Sequence, residues 1–235
     1  MNDIYNNQTY LQNNPGWHEE DAPYKAVYIL KLLKRNAIVV QSIGDAGCGT
    51  GGILAQLEEN LPAVQRFTGF DISADAIQLA KAKETGKTTF EVKDIAGSDS
   101  IVLFDLLLVI DVIEHIQDYF SFLKGIVSKS NYTIFHIPLD MCIWSLLREQ
   151  MLIESKNRVG HIHNFTEDFI KDILAEYGFE VIDQLYTPPK VELLSIKQRV
   201  INFTRKVLFF VNPKFCTKTI GGYSILLLTK NHPNA

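Results

Sequence analysis

Three glycines in a short run are the residues best suited to hold a ligand. Gly47, Gly49 and Gly51 lie between the β-branched run at 38–40 and an apolar helical pattern at 53–57. This order predicts a strand, a glycine turn and a helix. Glycine allows a sharp turn and a close approach of a ligand to the backbone, and the first turn of a helix offers unpaired N–H groups to an anion. The run therefore predicts a site for a nucleotide-type cofactor.

The glycine run fits two cofactor templates. Gly47, Gly49 and Gly52 have the G-x-G-x-x-G spacing of dinucleotide sites, which is a weak signal by itself. The run also places Asp45 two positions before the first glycine. A carboxylate there repels a pyrophosphate but suits the ammonium group of an amino-acid moiety. The choice between the two templates depends on the residues farther along the chain.

Two further acids follow predicted strands in the same half of the chain. Asp71 ends the strand predicted at 67–70, and Asp94-Ile95 follows the strand predicted at 90–92. A carboxylate at the C-terminal edge of a parallel sheet can accept both hydroxyl hydrogens of a ribose, as we expect for Asp71. Asp94 can accept from an adenine amino group, with Ile95 against the ring. As an alternative, either acid serves only the turn that follows its strand.

The second half of the chain continues the alternation of strands and helices. The apolar run 104–110 is typical of a central parallel strand and ends in Asp111-Val112-Ile113-Glu114-His115, opposite the glycine loop of a doubly wound sheet. Further strands are predicted at 132–138, 180–185 and 223–229, and one helical stretch is predicted at 141–154. Strands alternating with helices indicate a mostly parallel sheet.

Composition restricts the class of protein. The 235 residues are 46% hydrophobic, which is enough for one full α/β core. The net charge of -4 disfavours a general affinity for nucleic acid. The three cysteines at 48, 142 and 216 are odd in number and suggest reduced thiols in the cytoplasm. No uncharged apolar run reaches about 18–20 residues, so we expect a soluble chain without a membrane span.

At this point several segments resemble motifs of class I S-adenosylmethionine-dependent methyltransferases, of the small-molecule type similar to the ubiquinone-pathway O-methyltransferases. Asp45–Gly51 resembles motif I, and Phe70–Ser73 resembles the ribose-binding segment. Asp94-Ile95 is similar to the adenine position, and Asp111–His115 and His163–Thr166 resemble later segments of that group. The resemblance covers roughly residues 24 to 186 and the last strand.

The resemblance implies the fold, the cofactor and the cofactor site. The fold is α/β, a doubly wound Rossmann-like sheet of seven mostly parallel strands with the last strand antiparallel. The expected single domain 1–235 divides into an N-terminal arm and helix (1–36), a cofactor-binding core (37–186), an insertion (187–220) and the last strand with its tail (221–235). The cofactor is S-adenosyl-L-methionine, and its implied site is formed by Asp45, Ala46, Gly47, Cys48, Gly49, Gly51, Asp71, Ile72, Asp94, Ile95 and Asp111.

An oxygen acceptor also requires a base, for which His115 is the first candidate and His18 the second. Substrate contacts are expected from Trp17, Glu114, His161 and His163. His161 and His163 alternate along a segment predicted to be extended, so both rings are expected on one side. No strong metal-ligand spacing such as H-E-x-x-H occurs, and no metal is predicted.

The acceptor is expected to be a small molecule, a glycan or a lipid-linked compound rather than nucleic acid. The Asn/Asp-Pro-Pro-Tyr/Phe motif of amino-directed nucleic-acid methyltransferases is absent, and the corresponding position reads His136-Ile137-Pro138-Leu139. In the insertion 187–220 no acid follows Glu192, while lysine and arginine alternate with apolar residues. This pattern fits peripheral contact with an anionic membrane or, alternatively, a solvated face that covers the pocket.

Two other functions compete with the methyltransferase reading. One is an NAD-dependent dehydrogenase, since Tyr186 and Lys190 have Tyr-x-x-x-Lys spacing; the prolines between them forbid the helix that this pairing needs. The other is a non-catalytic scaffold that binds S-adenosylmethionine and docks at membranes. Intact glycine and acid motifs argue for cofactor binding but do not bear on turnover.

Overall fold

The computed structural model describes residues 19–97, 103–189 and 196–233, and the expectations for Trp17 and His18 lie outside these residues. Its centre is a seven-stranded sheet in the order β3-β2-β1-β4-β5-β7-β6, with β7 antiparallel to both neighbours. The predicted fold class is therefore confirmed. The strands are β1 (Ser42–Ala46), β2 (Arg66–Asp71), β3 (Thr88–Val92), β4 (Phe104–Ile110), β5 (Ser130–Pro138), β6 (Phe179–Thr187) and β7 (Ser224–Asn231).

Helices cover both faces of the sheet. In the described residues they are α1 (Ala22–Arg35), α2 (Gly52–Asn60), α3 (Ala74–Ala80), α4 (Tyr119–Ile126), α5 (Ile143–Leu146), α6 (Gln150–Val159), α7 (Glu167–Glu176), α8 (Ile196–Val211) and α9 (Pro213–Thr219). Apolar side chains of α1, α2 and α3 pack on one face, and those of α4 and α7 pack on the other. Each face thereby receives its own hydrophobic core.

Burial on both faces explains why β4 is apolar throughout. Leu106 and Leu108 contact the core beneath α1 to α3, while Leu107 and Val109 contact the core beneath α4 and α7. All four side chains are buried, because side chains alternate between the two faces of a strand. The boundaries predicted for this strand agree with the structure.

Two local predictions differ from the structure. The first strand begins at Ser42, after the run 38–40, because Asp105 at the start of β4 accepts hydrogen bonds from the Gln41 and Ser42 amides and sets the register there. The helical stretch predicted at 141–154 is divided into α5 and α6. At the break the Arg148 amide bonds to the Ser145 carbonyl, three residues back, which ends the α-helical pattern.

The described part of the insertion forms α8 and α9, which fold back onto the sheet. Phe209 stacks on Tyr223 with ring centroids 4.1 Å apart, and the Arg205 guanidinium lies against Gly222. None of the helices within the described residues has both the length and the apolar character required to cross a bilayer.

Five acids mark the C-terminal ends of the first five strands. Asp45 and Asp71 lie within the last residues of β1 and β2, and Asp94, Asp111 and Asp140 follow β3, β4 and β5 within two residues. Parallel strands bring these ends to one edge of the sheet. The functional site lies at this edge.

Candidate active site

A large cavity opens at the C-terminal edge of the sheet. Its volume is about 940 Å³, which is at the upper end of the range for small-molecule sites. One part, the glycine-loop half, is lined by Ala46–Gly49, Phe70–Ile72, Asp94–Ala96 and Phe122. The other part, the histidine half, is lined by Lys25, Asp111, Glu114, His115, Pro138, Asp140, Ser155, Arg158, Val159, His161 and Ser224.

The glycine loop is held tightly against the neighbouring strands. The amides of Gly47 and Cys48 both donate to the Phe70 carbonyl at the end of β2, at 2.7 and 3.0 Å. Gly51 has φ +78°, and a Cβ there would lie 2.4 Å from the Phe90 ring. Only glycine satisfies both the backbone conformation and the available space, so the sequence fixes the shape of this wall.

Asp45 is a buried carboxylate without a counterpart. Both of its side-chain oxygens are buried and hydrogen-bond to no other described residue. Burial, reinforced by the charge of Asp71 and opposed by that of Lys25, raises the pKa of Asp45 to about 7. An unpaired buried carboxylate is costly unless a ligand supplies the missing donor. A ligand with an ammonium group, such as an amino-acid moiety, fits this requirement.

Asp71 joins the glycine loop to the start of α3. One carboxylate oxygen accepts from the Gly49 amide at 2.9 Å, and the other accepts from the Ser73 amide at 2.8 Å. A carboxylate has about four acceptor positions, so capacity remains for two hydroxyl groups. Asp71 lines the cavity together with its neighbour Ile72, as a ribose contact requires.

Asp94 and Ile95 line the same half farther from the loop. Asp94 Oδ1 accepts from the amides of Ala96 and Gly97, at 3.0 and 3.3 Å, so part of this carboxylate stabilises the turn after β3. Its contact with an adenine amino group stays a prediction.

Cys48 also lines this half, and burial raises the pKa of its thiol, so it is not a thiolate at neutral pH.

Asp111 is the hub of the histidine half. Its carboxylate contacts Lys25 Nζ at 2.6 Å and His136 Nδ1 at 2.5 Å, and His136 Nε2 lies 2.7 Å from the Thr187 hydroxyl. Burial acts to raise the pKa of Asp111, but the adjacent His136 and Lys25 hold it well below its usual value. Its φ of +54° is rare for a residue other than glycine. Asp111 therefore remains ionised and fixed in place.

Glu114, His115 and His161 meet beside this hub. The two imidazole rings lie edge to face with centroids 5.0 Å apart, and one ligand atom from each of the three residues lies within 4.8 Å of the others. Neither carboxylate oxygen of Glu114 hydrogen-bonds a described residue. Burial, followed by the charge of Asp111, raises the pKa of Glu114 well above its usual value. The cluster combines a neutral carboxyl with two imidazoles, a donor set that can hold a proton or a cation.

Hydrogen bonds orient both imidazoles of the cluster. His115 Nδ1 lies 3.1 Å from the Gly160 carbonyl, so in the neutral ring Nδ1 carries the proton and Nε2 holds the lone pair. His161 Nδ1 lies 2.6 Å from Asp140 Oδ2, and the Ser155 hydroxyl is 3.3 Å away from the same nitrogen. A carboxylate that fixes an imidazole in this way is a recurrent arrangement for a general base.

His163 lies outside the cavity. Its Nε2 donates to the Ile116 carbonyl at 2.9 Å, and its ring packs on Tyr119. The two imidazoles of this segment do not share a side as expected, because the segment is not a regular strand. The successive amides of Ile162 and His163 both donate to the Glu114 carbonyl, whereas successive amides of a strand point in opposite directions. A substrate contact for His163 stays a prediction without geometric support.

The sequence analysis did not predict Lys25, Asp140, Ser155 and Arg158, which are among the polar residues that line the histidine half. Asp140 follows the end of a parallel strand, as Asp71 does, and could have been predicted by the same rule. Lys25 lies on the buried stripe of α1, three residues after Ala22 and four before Ile29, and a lysine in such a stripe is itself a signal. Ser155 and Arg158 lie on α6 and carry no comparable signal.

Comparison with known proteins identifies the family of the chain. Residues 17–184 match a family model described as a methyltransferase domain. Among curated proteins, the chain is 28% identical over 198 residues to the ubiquinone biosynthesis O-methyltransferase of Rickettsia conorii. This match covers 76% of the chain but spans only 62% of the length of that relative.

Solved structures show the same fold. The N-methyltransferase NodS of Bradyrhizobium japonicum WM9, in complex with S-adenosylhomocysteine, has a TM-score of 0.59 at 16% identity and covers 92% of this chain and 91% of its own. The magnesium protoporphyrin IX methyltransferase of Synechocystis PCC 6803, with the same bound product, has a TM-score of 0.60 at 17% identity, with 94% and 86% covered. At these identities the likeness concerns the fold alone.

Proposed function

The chain belongs to the methyltransferase family that uses S-adenosylmethionine, and on that premise we propose that it methylates an oxygen of a small-molecule, glycan or lipid-linked acceptor. The observation that carries the proposal is the division of one cavity into two chemically distinct halves. The glycine-loop half offers acids and backbone groups to a nucleoside and an amino-acid moiety. The histidine half offers oriented imidazoles to an acceptor hydroxyl.

The glycine-loop half holds the cofactor in this proposal. Asp45 receives the ammonium group, since its orphaned carboxylate needs a cationic donor. Asp71 accepts from the ribose hydroxyls, and Asp94 with Ile95 contacts the adenine. Ala46–Gly49 provide the wall along the methionine moiety. Gly51, predicted from the sequence as a cofactor-binding residue, shapes the loop in this proposal, and Asp111 closes the site at the junction with the histidine half.

S-adenosylmethionine, when bound, supplies a methyl group on a sulfonium sulfur, whose transfer to an acceptor oxygen forms a C–O bond, breaks the S–C bond and releases the hydroxyl proton. The chain has three tasks in this reaction. It aligns the hydroxyl, excludes water and accepts the proton. Alignment alone provides a large share of the acceleration, and a base typically adds about 10²–10⁴-fold.

His115 is the base in this proposal. The Gly160 carbonyl holds the proton on Nδ1 and leaves the lone pair on Nε2. The ring lines the histidine half beside Asp111, at the junction with the glycine-loop half. His161, fixed by Asp140, is the competing base on the far side of the same cluster. His18 stays the second sequence-based prediction and lies outside the described residues.

The acceptor is polar in this proposal. Of the described residues that line the histidine half, most carry hydroxyl, imidazole, carboxylate or cationic groups, and none carries a phenyl or indole ring. Such a lining suits a hydroxylated acceptor such as a glycan better than a flat aromatic one. Glu114 and His161 are the proposed substrate contacts among the described residues, with Trp17 predicted from the sequence alone. We also infer a cytoplasmic location, with peripheral membrane contact through 187–220.

Two alternatives give different measurable results. A non-catalytic scaffold binds S-adenosylmethionine without forming a methylated product. A dehydrogenase binds NAD, for which the acid at Asp45 is unfavourable because it faces a pyrophosphate. Tyr186 of the Tyr-x-x-x-Lys pattern hydrogen-bonds to Glu167 rather than facing the cavity.

Transfer of a labelled methyl group tests the proposal. The purified chain is incubated with methyl-labelled S-adenosylmethionine and matched acceptors that differ only in a hydroxyl, an amine or a thiol, presented on a monosaccharide, a phenol and a lipid-linked sugar. Label on the hydroxylated compounds supports the proposal, and label on the amine or thiol only contradicts the oxygen target. Parallel reactions with EDTA show whether the Glu114–His115–His161 cluster needs a divalent ion, which the sequence does not predict.

A further inference from the structure

The outer face of α8 is apolar and exposed. Val200, Phe203, Val207, Phe210 and Val211 follow helical spacing and form one stripe along the helix. Phe210 is 91% exposed, Val211 is 74% exposed and Phe203 is 69% exposed. Scattered single apolar residues are ordinary on a protein surface, but a continuous stripe of this kind marks an interaction site.

The exposed stripe is not the side of α8 that packs against the core. The opposite face of α8 already packs on the body of the protein, where Phe209 contacts both Tyr223 and Tyr186. The Cys216 thiol of α9 reaches the Arg205 carbonyl of α8 at 3.4 Å, which ties the two helices together. The helix is therefore firmly seated with its apolar stripe facing outward.

A second apolar surface lies beside α9. Ile143, Leu146 and Leu147 of the α5 segment are exposed, Leu147 by 78%. The segment adjoins α9, since a Cβ on Gly221 just after α9 would lie 2.7 Å from the Cys142 thiol at the start of α5. More than half of the exposed large hydrophobic side chains of the described residues lie in 143–153 and 200–215. We call the stripe of α8 together with Ile143, Leu146 and Leu147 the docking face.

The α5 part of the docking face lies next to the cavity. α6 follows α5 directly, and its residues Ser155, Arg158 and Val159 line the histidine half. Other side chains of the same helix, Met151 and Ile153, are exposed like those of α5. The wall of the histidine half and the exposed apolar surface thus belong to one short helical unit.

Charge decides which partner fits this face. Arg199 and Lys206 are exposed on α8 and form no ion pair with a described residue, and no acid follows Glu192 in the sequence. The chain as a whole is acidic, with net charge -4, so these cations are a local concentration. A second copy would bring like charges together across the contact, whereas anionic lipid neutralises them.

We propose that the docking face binds an anionic membrane surface, with Phe203 and Phe210 of α8 and Leu146 and Leu147 of the α5 segment in the headgroup layer, and that it places the histidine half at the lipid–water boundary. The position of the histidine half at the boundary rests on the proposed function, because a lipid-linked acceptor would then enter from the membrane. Membrane binding by the docking face depends only on the surface itself.

Vesicle binding tests whether the docking face binds a membrane, and it requires no acceptor. The full chain, saturated with S-adenosylhomocysteine, is sedimented with vesicles of phosphatidylcholine containing or lacking phosphatidylglycerol. We expect binding only to the anionic vesicles. The double variant Phe203→Ser/Phe210→Ser should bind about tenfold more weakly or worse, because two aromatic rings no longer enter the interface. Lys206→Glu should weaken binding about tenfold and remove most of its salt dependence.

Leu147→Ser tests whether α5 belongs to the face, and a loss of affinity with this variant is expected. Val39→Ser is the matched control, because Val39 is 88% exposed but precedes β1 at the opposite edge of the sheet. Unchanged unfolding midpoints with S-adenosylhomocysteine establish that each variant is folded. Equal vesicle binding by wild type and the double variant would overturn the inference. It would also be overturned if the wild type bound no vesicles but formed a dimer that the double variant abolished, because the face would then be a dimer interface.

Failure of the inference and failure of the proposed function are distinguishable. A protein that methylates soluble hydroxylated compounds but ignores anionic vesicles contradicts the docking face and the membrane contact through 187–220, and it leaves the proposed methyl transfer to oxygen intact. A protein that binds the vesicles through α8 but transfers no methyl group to oxygen retains the docking face and loses the proposed function. Methyl transfer to a lipid-linked sugar in vesicles, lost together with binding in the double variant, is the result expected when both hold.

Discussion

The two halves of the cavity are built in different ways. Apart from Phe122 of α4, the glycine-loop half consists of residues at the ends of β1, β2 and β3, so the sheet itself determines where they lie. The histidine half collects residues from α1, from the segments after β4 and β5, and from α6. Most of its side chains are titratable, and several of them are joined by ion pairs or hydrogen bonds. The first half is therefore fixed by strand order, and the second by hydrogen bonds between loops.

The difference is also electrostatic. An unpaired buried carboxylate, Asp45, lies directly before Ala46 in the wall of the glycine-loop half, and a cofactor in that half would have to satisfy it. In the histidine half the carboxylates of Asp111 and Asp140 already have cationic or imidazole partners. The buried Glu114 carboxyl has no hydrogen-bond partner among the described residues, and burial raises its pKa well above the usual value, which keeps it neutral. We conclude that the first half is prepared for a cationic ligand and the second for moving a proton. The following predictions test this division, beginning with the largest effect.

Loss of the base should give the largest change. We expect His115→Gln to lower kcat by about 10²–10⁴ while the affinity for S-adenosylhomocysteine stays within about twofold, because the residue acts only in the histidine half. Steady-state kinetics and calorimetry measure the two quantities. His232→Gln, at an exposed histidine paired with Glu180, is the matched control. If His161→Gln shows the large loss and His115→Gln does not, the Asp140–His161 pair is the base instead.

Asp71 should dominate cofactor affinity. Replacing it with alanine removes acceptors for two ribose hydroxyls, each hydrogen bond to a charged group contributing about 1.5–3 kcal/mol, so we expect at least about 100-fold weaker binding of S-adenosylhomocysteine. Asp71→Asn keeps one acceptor oxygen and should be intermediate. Asp75→Ala, an exposed acid in the first turn of α3, serves as the control. Equal affinities of Asp71→Ala and Asp75→Ala by calorimetry would disprove the ribose contact.

Asp45 should make cofactor binding depend on pH. Because burial raises its pKa to about 7 in the ligand-free protein, an ammonium ligand binds better as pH rises, about tenfold per unit up to roughly that value. The stability of the ligand-free protein should change in the opposite direction. Its folded state holds the proton more tightly than the unfolded state, so the free energy of unfolding falls between about pH 4 and pH 7.

Asp45→Asn should abolish both trends. We expect the variant to be more stable than wild type at pH 8 without ligand and to bind S-adenosylhomocysteine with a weak, flat pH profile. Calorimetry and denaturant titration at several pH values measure the two effects. A wild-type affinity that does not change between about pH 5 and pH 8 would be inconsistent with Asp45 as the ammonium partner.

The link between Lys25 and Asp111 should have the smallest effect. The ion pair is only partly exposed, and Lys25→Met leaves Asp111 with His136 alone, so we expect a loss of about 1–2 kcal/mol. This corresponds to a fall of about 2–8 °C in Tm for a chain of this size. The double variant Lys25→Met/Asp111→Asn should lose less than the sum of the single variants. Additive losses would show that the pair does not act as a unit.

The difference between the two halves also explains which site residues could be predicted from the sequence. Asp45, Asp71 and Asp94 were predictable because a strand pattern places them at one edge of a parallel sheet, and Asp140 obeys that rule although it was missed. The family resemblance and the seven-stranded fold are confirmed. His115 was recognisable as an imidazole after β4, but its Gly160 partner was not, because 45 residues separate them.

The remaining errors have local causes. A break between α5 and α6 depends on an amide that bonds three residues back, and the orientation of His163 depends on two amides sharing one carbonyl. No pattern in the sequence predicts either of these hydrogen-bond arrangements. Partners brought together by loops therefore have to be observed in the structure, whereas partners brought together by strands can be predicted.

Thermal unfolding with ligands tests the central claim most directly. Wild type and Asp71→Ala are unfolded with S-adenosylhomocysteine or NAD, each at about 100 times the expected dissociation constant, where a bound ligand adds about 2.7 kcal/mol. We predict that S-adenosylhomocysteine raises the midpoint of wild type, that Asp71→Ala loses most of this shift, and that NAD has no effect. A shift with NAD and none with S-adenosylhomocysteine would contradict the assignment of the glycine-loop half.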